Sequence, residues 1–456
     1  IVGTPASLVN QSAACYTFAN GKRMEGRVLR GGAGAVIWHR AACAREINDQ
    51  PQEGGALLCA DAFEADLSAF FGQAQCVYLD PPAMSGTRPE CKVRVGEEGW
   101  LTSRQAVKVP AYQDFAPTDR DAYLGELRKL LHLSRLLLND TGSLFLHVEG
   151  NAAAHARLMA DEVMGEDNFR NEIIWSYQTG GRSLKYFSRK HDTVLFYAKT
   201  PAHFFDITQV PVKRKDSRNN HMKRHVDEKG RSYRTIRTGG REYIYYDDEP
   251  AYPDDVWGDV SRLAQKDPQR TGYPSQRPQA LLDRMVLSTT RPGDLVVDLM
   301  CGSGSALASA AANGRRFLGV DSSPVAFAVC RKRLSPYRLV CQAPLTEAGA
   351  LLDAAAMPGI GYYTVTLNAF TLPEEELAGL DCEPAGLKLR GMDAVDQWYA
   401  GLLNNGVFTA YASALRTRQA PALATSLEVP LLRGTVAVML IDVLGRRSLW
   451  TGTSAV

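Results

Sequence analysis

The chain has no long apolar run. No stretch approaches the roughly 20 residues needed to span a bilayer, so a membrane-crossing role is not expected. It has no Cys-x-x-Cys pair: nine cysteines stand singly at 15, 43, 59, 76, 91, 301, 330, 341 and 382. An odd, scattered set argues against a disulfide framework or a zinc site and points to a reduced, cytoplasmic protein. His221 and His225 are one helical turn apart, but no Glu follows His221 and no third ligand is evident, so no metal is expected. There is no internal repeat and no low-complexity tract. No signal-peptide pattern follows Ile1, which leaves room for a start further upstream. Net charge is also small, +2 over 456 residues, so no global field announces a polyanionic partner.

What is present is an ordinary globular composition, 45% hydrophobic and 22% charged, in a chain long enough for two or three domains. Residues 1–55 carry little pattern and end in a linker-like stretch. From Ala56 short apolar runs alternate with helical periods: strands are expected at 56–60, 76–79, 143–148, 171–177 and 192–197, with a helix at 127–138 and a turn at Asn139–Gly142. The rhythm stops over residues 199–272, which are polar, aromatic and turn-rich. It resumes with a helix at 280–289, a strand at 295–299, a helix at 306–312, a strand at 316–320 and a helix at 325–334. Strands alternating with helices imply a mostly parallel sheet with covered faces. Beyond about Pro344 the composition changes, and strands at 362–369 and 436–444 suggest a separate tail domain. The expected division is thus 1–55, 56–198, 199–272, 273–345 and 346–456.

Two places carry chemistry. Asp298-Leu299-Met300-Cys301-Gly302-Ser303-Gly304 follows a strand and precedes a helix, and Asp321 ends the next strand. Glycine admits close ligand approach there, the helix start offers free N–H groups, and an acid on the neighbouring strand is placed for ribose hydroxyls. Read blandly, this is a tight turn with no ligand; Asp321 in register favours nucleoside binding. A dinucleotide oxidoreductase is disfavoured, because Leu307 stands where a third glycine is required. The second place is Asp80-Pro81-Pro82-Ala83, at the end of an apolar run. Two prolines make the turn stiff, and the acid with an exposed carbonyl forms an acceptor pair suited to an exocyclic amine. Alone, it reads as a plain strand-ending turn.

In this order the two motifs resemble the β-class DNA amino-methyltransferases. The intervening Asn171-Glu172-Ile173-Ile174-Trp175, Gly180-Gly181-Arg182-Ser183 and Phe187-Ser188-Arg189-Lys190-His191-Asp192 are similar to modification subunits of type III restriction–modification systems and related adenine methyltransferases, and Tyr273-Pro274-Ser275-Gln276-Arg277-Pro278 is similar to stretches that precede the family's cofactor motif. The resemblance covers about residues 56–335. It implies an α/β, Rossmann-like S-adenosylmethionine-dependent methyltransferase sheet, circularly permuted, with an inserted target-recognition region and a C-terminal β-containing domain. It implies methylation of adenine N6 in double-stranded DNA, with cytosine N4 as the alternative target. Protein partners would be a restriction subunit and a second copy of the chain. Asp80, Pro81 and Pro82 would hold the amine. Asp298, Met300, Cys301, Gly302 and Gly304 would line the cofactor S-adenosyl-L-methionine, with Asp321 on its ribose and Asp61 near its adenine.

This chain departs from the family at Ala83, where Tyr, Phe or Trp normally stacks on the flipped base, a contact worth roughly 1–3 kcal/mol. Tyr112, Phe115 and Tyr177 are the candidate substitutes. The milder departures are Met300 for Phe and Ala60 for Gly. A non-catalytic DNA-binding or assembly subunit is therefore the competing reading. Charge supports a nucleic-acid partner either way: from Arg182 to Arg241 sixteen Lys or Arg face five acids, an excess of eleven. Arg182, Lys185, Arg189, Lys190, Lys213, Arg214 and Lys215 are the expected phosphate contacts, against the bland reading of a solvated face.

Overall fold

The computed structural model describes residues 29–30, 36–37, 43–48, 54–150, 152–178, 182–213, 223–345, 351–373, 376, 380–387, 389 and 391–454. One fourteen-stranded sheet organises them. Its strands are β1 (Cys43–Asn48), β2 (Gly55–Cys59), β3 (Ala74–Leu79), β4 (Leu138–Val148), β5 (Phe169–Ser176), β6 (His191–Ala198), β7 (Val256–Trp257), β8 (Leu295–Asp298), β9 (Arg316–Asp321), β10 (Leu339–Pro344), β11 (Val395–Asn404), β12 (Val407–Leu415), β13 (Thr435–Asp442) and β14 (Arg447–Ser454). The spatial order is β7-β5-β6-β4-β3-β8-β9-β2-β10-β1-β12-β11-β13-β14.

The run β4-β3-β8-β9-β2-β10 is parallel throughout. Every residue of β3 and β8 is buried, as expected of strands covered on both faces. Helices α1 (Arg120–Leu137) and α2 (Ala153–Met164) pack on one face, where Leu127, Leu131, Ala156 and Ala160 meet Val77, Leu79, Leu144 and Leu146. Helices α3 (Gln279–Thr289), α4 (Ser305–Ala312) and α5 (Pro324–Arg333) contribute Leu281, Met285, Ala306, Leu307 and Phe327 to the core on the other. The fold is thus the expected α/β sheet, with the strand that leads into Asp80 earlier in the chain than the strand that leads into the glycine turn. These two strands are neighbours, with Asp298 opposite Tyr78.

Parallel strands bring their carboxyl ends to one edge. Asp61 lies two residues past β2, Asp80 follows β3, Glu149 follows β4, Asp298 ends β8 and Asp321 ends β9. The antiparallel β6 starts at this same edge, because Thr193 pairs with Val148.

Two expectations are revised. The Asn139–Gly142 turn is not a separate connection. It is a bulge inside β4: Ala74 pairs with Leu138 and Cys76 with Ser143, so the extra residues loop outward, and Thr141 N–H bonds Asn139 Oδ1 at 3.0 Å. The stretch beyond Pro344 does contain strands at 362–371 and 435–442, yet four of its strands extend the same sheet. β1 joins the two parts, antiparallel to β10 and parallel to β12. Buried Glu46 of β1 pairs with Arg331 of α5 and Arg447 of β14, so three distant segments share one buried charge cluster. Within 199–272 a three-stranded antiparallel sheet forms from Arg224–Val226, Ser232–Thr238 and Arg241–Tyr246. Among the described residues no helix is long and apolar enough to cross a membrane.

Candidate active site

A cavity of about 630 Å³ opens at the carboxyl edge. Its wall includes Asp61, Asp80, Pro81, Pro82, Asp298, Met300, Cys301, Gly302 and Asp321. Of the residues expected to hold donor and amine, only Gly304 is not part of the wall.

The glycine turn is shaped by its neighbours. Gly302 has φ +48°, and a Cβ there would lie 2.9 Å from the Tyr273 ring. Gly304 has φ +71°, and its Cβ would collide with the Cys330 sulfur. Both positions therefore demand glycine on conformation and on space. Asp321 braces the turn: Oδ2 accepts Gly302 N–H at 2.7 Å and Oδ1 accepts Ser323 N–H at 2.9 Å. Burial pushes its carboxyl up to about 6 against those two N–H bonds. Asp298, also buried, is pushed well above the usual carboxylate range by desolvation, although its Oδ1 accepts Met300 N–H at 3.2 Å. Asp61 is exposed and accepts Phe63 N–H at 2.8 Å.

The Asp80 turn is held from both sides. On one side buried Asp114 accepts Met84 N–H at 2.9 Å, Ser85 N–H at 2.7 Å and Ser85 Oγ–H at 2.6 Å. On the other, Arg277 grips Asp80 with a fork, Nε to Oδ2 at 2.7 Å and Nη2 to Oδ1 at 3.0 Å. The remaining Arg277 arm donates to Asp192 Oδ2 at 2.8 Å. His147 links buried Tyr78, 2.9 Å from Nδ1, to Asp192, 3.2 Å from Nε2. The Tyr177 hydroxyl donates to Asp192 Oδ1 at 2.8 Å. Burial opposes ionisation of Asp80, but the Arg277 charge overrides it and holds the carboxyl below the usual range. Asp192 is depressed in the same way, against burial, by His147 and Arg277. Asp80 is therefore an anion at neutral pH. Its Oδ1 spends one acceptor site on Arg277 and keeps another, whereas Oδ2 is met by Arg277 and, at 3.4 Å, by the Tyr78 hydroxyl.

Arg277, Asp192, His147 and Asp114 had not been singled out by sequence reasoning. Arg277 and Asp192 lie in stretches noted only for resemblance, and no local signal says that they meet Asp80. Of the three candidate aromatic substitutes for Ala83, Tyr112 and Phe115 line the cavity, whereas Tyr177 is engaged with Asp192. Tyr112 is fixed by Ser275, hydroxyl to hydroxyl at 3.0 Å, and Phe115 by an edge contact with Tyr123.

The basic stretch is more neutral than its first count. Arg224 and Arg234 pair with Asp247, Arg231 with Asp248, and Arg237 with Glu242. Those partners lie just beyond Arg241, outside the counted window. Arg182, Lys185, Arg189, Lys190 and Lys213 are away from the cavity wall. Arg214, Lys215 and His221 lie outside the described residues.

A family model described as DNA methylase matches residues 74–331. The chain is 26% identical over 314 residues to the type II methyltransferase M.EcaI of Enterobacter cloacae, covering 58% of this chain and 65% of that protein. It is 27% identical over 154 residues to the DNA adenine methyltransferase YhdJ of Escherichia coli (strain K12), covering 33% and 47%. It thus spans less than two thirds of the length of both curated relatives. Among solved structures, the PvuII DNA methyltransferase (cytosine-N4-specific) is similar at 14% identity with a TM-score of 0.41, over 62% of this chain and 87% of that one. The family match runs through both halves of the sheet, from the strand that leads into Asp80 to the helix beyond Asp321, and the chain belongs to the DNA methylase family.

Proposed function

We propose that this protein transfers a methyl group from S-adenosylmethionine to the N6 amine of adenine in double-stranded DNA. The observation that carries the reading is the shared cavity: an ionised, rigidly held Asp80 and a braced glycine turn open into one space. The volume suits a nucleoside-sized donor beside an extrahelical base. The residues fit the donor. Gly302 leaves bare backbone, and Asp321 has acceptor sites beyond the two N–H bonds that it already takes. Met300, Cys301 and Gly302 would wall the donor, Asp321 would take its ribose and Asp61 its adenine end. When bound, S-adenosylmethionine supplies a methyl group on a positively charged sulfur.

The chain's own contribution is alignment and polarisation. Asp80 and the Pro81 carbonyl accept the two amine hydrogens, drawing the nitrogen lone pair out of conjugation with the ring. Arg277 keeps Asp80 ionised and fixes its plane. A carboxylate held below its usual range is a weak base, so its role is to orient the amine, and the displaced proton leaves to water after transfer. Asp at position 80 supports adenine over cytosine. The basic segment supports DNA. A restriction subunit and a second copy of the chain are the protein partners that this reading admits.

The test is transfer of labelled methyl groups from S-adenosylmethionine to unmethylated plasmid DNA, followed by digestion to nucleosides. Label in N6-methyladenine supports the proposal, and label in N4-methylcytosine replaces the target base. A second reading rests on Ala83: a DNA-binding or assembly subunit that has lost its stacking residue. It predicts DNA and cofactor binding without transfer to any DNA.

A further inference from the structure

The loop between β5 and β6 exposes two large apolar side chains completely. Leu184 is 103% exposed and Phe187 is 99% exposed, with Tyr186 between them at 67%. Its turn is hydrogen-bonded. Ser183 Oγ accepts Lys185 N–H at 3.2 Å and Tyr186 N–H at 3.3 Å, and Ser183 N–H donates to Ser188 Oγ at 3.2 Å. Tyr177 N–H closes the base of the loop on Lys190 C=O at 2.9 Å. A braced turn that presents Leu and Phe to water forgoes their burial, which calls for an occupant.

Three observations identify it as a DNA base step. The loop leaves the sheet at the edge where Asp80 lies, since Thr193 pairs with Val148 in β4 and Leu146 of β4 pairs with Leu79. Its base is tied to the amine-holding acid: the Tyr177 hydroxyl bonds Asp192, and Arg277 bridges Asp192 to Asp80. The apolar tip is interleaved with Arg182, Lys185, Arg189 and Lys190, a pattern suited to phosphates flanking an inserted side chain. Resting on the methyltransferase reading above, we propose that Leu184 and Phe187 enter the duplex and fill the place vacated by the target base, holding it extrahelical in the Asp80 cavity. They act as positioning residues on the DNA, not on the methyl donor.

The experiment compares the full chain with the Leu184→Ala/Phe187→Ala variant. The target site is taken from sequencing of DNA methylated by the wild type. Two oligonucleotide substrates carry it, one fully paired and one with a mismatch opposite the target base. The variant should transfer to the paired duplex about tenfold or more slowly, because unstacking is no longer compensated. On the mismatched duplex, where the base is already loose, it should stay within about twofold of wild type. A 2-aminopurine at the target position should brighten with wild type and stay quenched with the variant. Calorimetry should give the same affinity for S-adenosylmethionine. Equal transfer to the paired duplex, or equal loss on both substrates, overturns the wedge. A variant that transfers normally but changes oligomeric state overturns it too, and assigns the tip to a protein interface. Failure of the wild type on every DNA defeats the methyltransferase reading itself, and is distinguishable because the unmodified chain then shows it.

Discussion

Replacing Arg277 with Met should unmake the site without emptying the space. Methionine keeps apolar volume but removes three charge-assisted hydrogen bonds, at 2.7, 3.0 and 2.8 Å. The side chains of Arg277, Asp80 and Asp192 are only 6%, 17% and 3% exposed, so two buried carboxylates would lose their common cation. Breaking such a buried cluster costs about 3–5 kcal/mol at pH 7.5. In the wild type Asp80 and Asp192 are held below their usual range. Their stabilisation is therefore complete above the ordinary Asp value of about 3.9 and is lost as pH falls through the lower folded values. In the variant Asp80 loses the charge that overrode its burial and its carboxyl moves up, while Asp192 keeps its His147 and Tyr177 hydrogen bonds and moves less. The folded state then binds more protons than the unfolded chain, and the penalty shrinks as pH falls. The gap in urea midpoint between wild type and Arg277→Met should consequently be wide at pH 7.5 and narrower at pH 5. Methyl transfer at pH 7.5 should drop by about a hundredfold or more, as about 2.7–4 kcal/mol of amine orientation is lost. The affinity for S-adenosylmethionine should hold. Arg277→Lys keeps the charge but not the fork, so it should fall between and preserve the wild-type pH trend. A variant with the wild-type midpoint at pH 7.5, or a gap that widens on acidification, would refute this account of Asp80.

Asp321, raised to about 6, takes up its proton as pH falls through that value; S-adenosylmethionine affinity measured by calorimetry should weaken below about pH 6, and Asp321→Asn should flatten that dependence. Tyr112, fixed by Ser275 in the cavity wall, is the expected stacking partner: Tyr112→Ala should lower kcat/KM on DNA by roughly 1–3 kcal/mol of lost stacking, and Ala83→Tyr should be neutral or harmful through crowding. DNA affinity should fall with salt at a slope of about −0.9 per phosphate neutralised, and charge reversal at Lys213, Arg214 and Lys215 should flatten that slope more than Arg237→Ala, since Arg237 already pairs with Glu242.

Much of the fold was legible because its signals are local. The short strands expected at 76–79, 295–299 and 316–320 lie at Ala74–Leu79, Leu295–Asp298 and Arg316–Asp321, and the helices expected at 306–312 and 325–334 lie at Ser305–Ala312 and Pro324–Arg333. What could not be read was pairing between distant strands. A change of composition after Pro344 looks like a boundary, yet β1 uses its two edges to stitch β10 to β12. Glu46, Arg331 and Arg447 each look like surface residues in their own surroundings. Only the pairing of β1 with β10 brings them under one cover, where each charge answers another.

The same distinction separates the parts of the site. Asp80 was visible because two prolines mark a rigid turn, and Gly302 because the glycine turn between strand and helix has Asp321 in register at the end of the next strand. Their state was not visible. Whether Asp80 is a proton carrier or a fixed anion depends on Arg277, 197 positions away in the chain. Sequence counting also erred where partners fall outside a window: the excess between Arg182 and Arg241 is real, but Glu242, Asp247 and Asp248, on and just past the last strand of the small sheet, answer four of its arginines. A motif thus locates a charge, and the partners that folding brings to it decide what the charge can do. That places the discriminating residues of this enzyme family member outside its two motifs. Arg277 and Asp192 set the acid, Asp114 holds the turn, and the exposed tip at Leu184 and Phe187 is rooted on Tyr177 and Asp192, the same pair that steadies the Asp80 network.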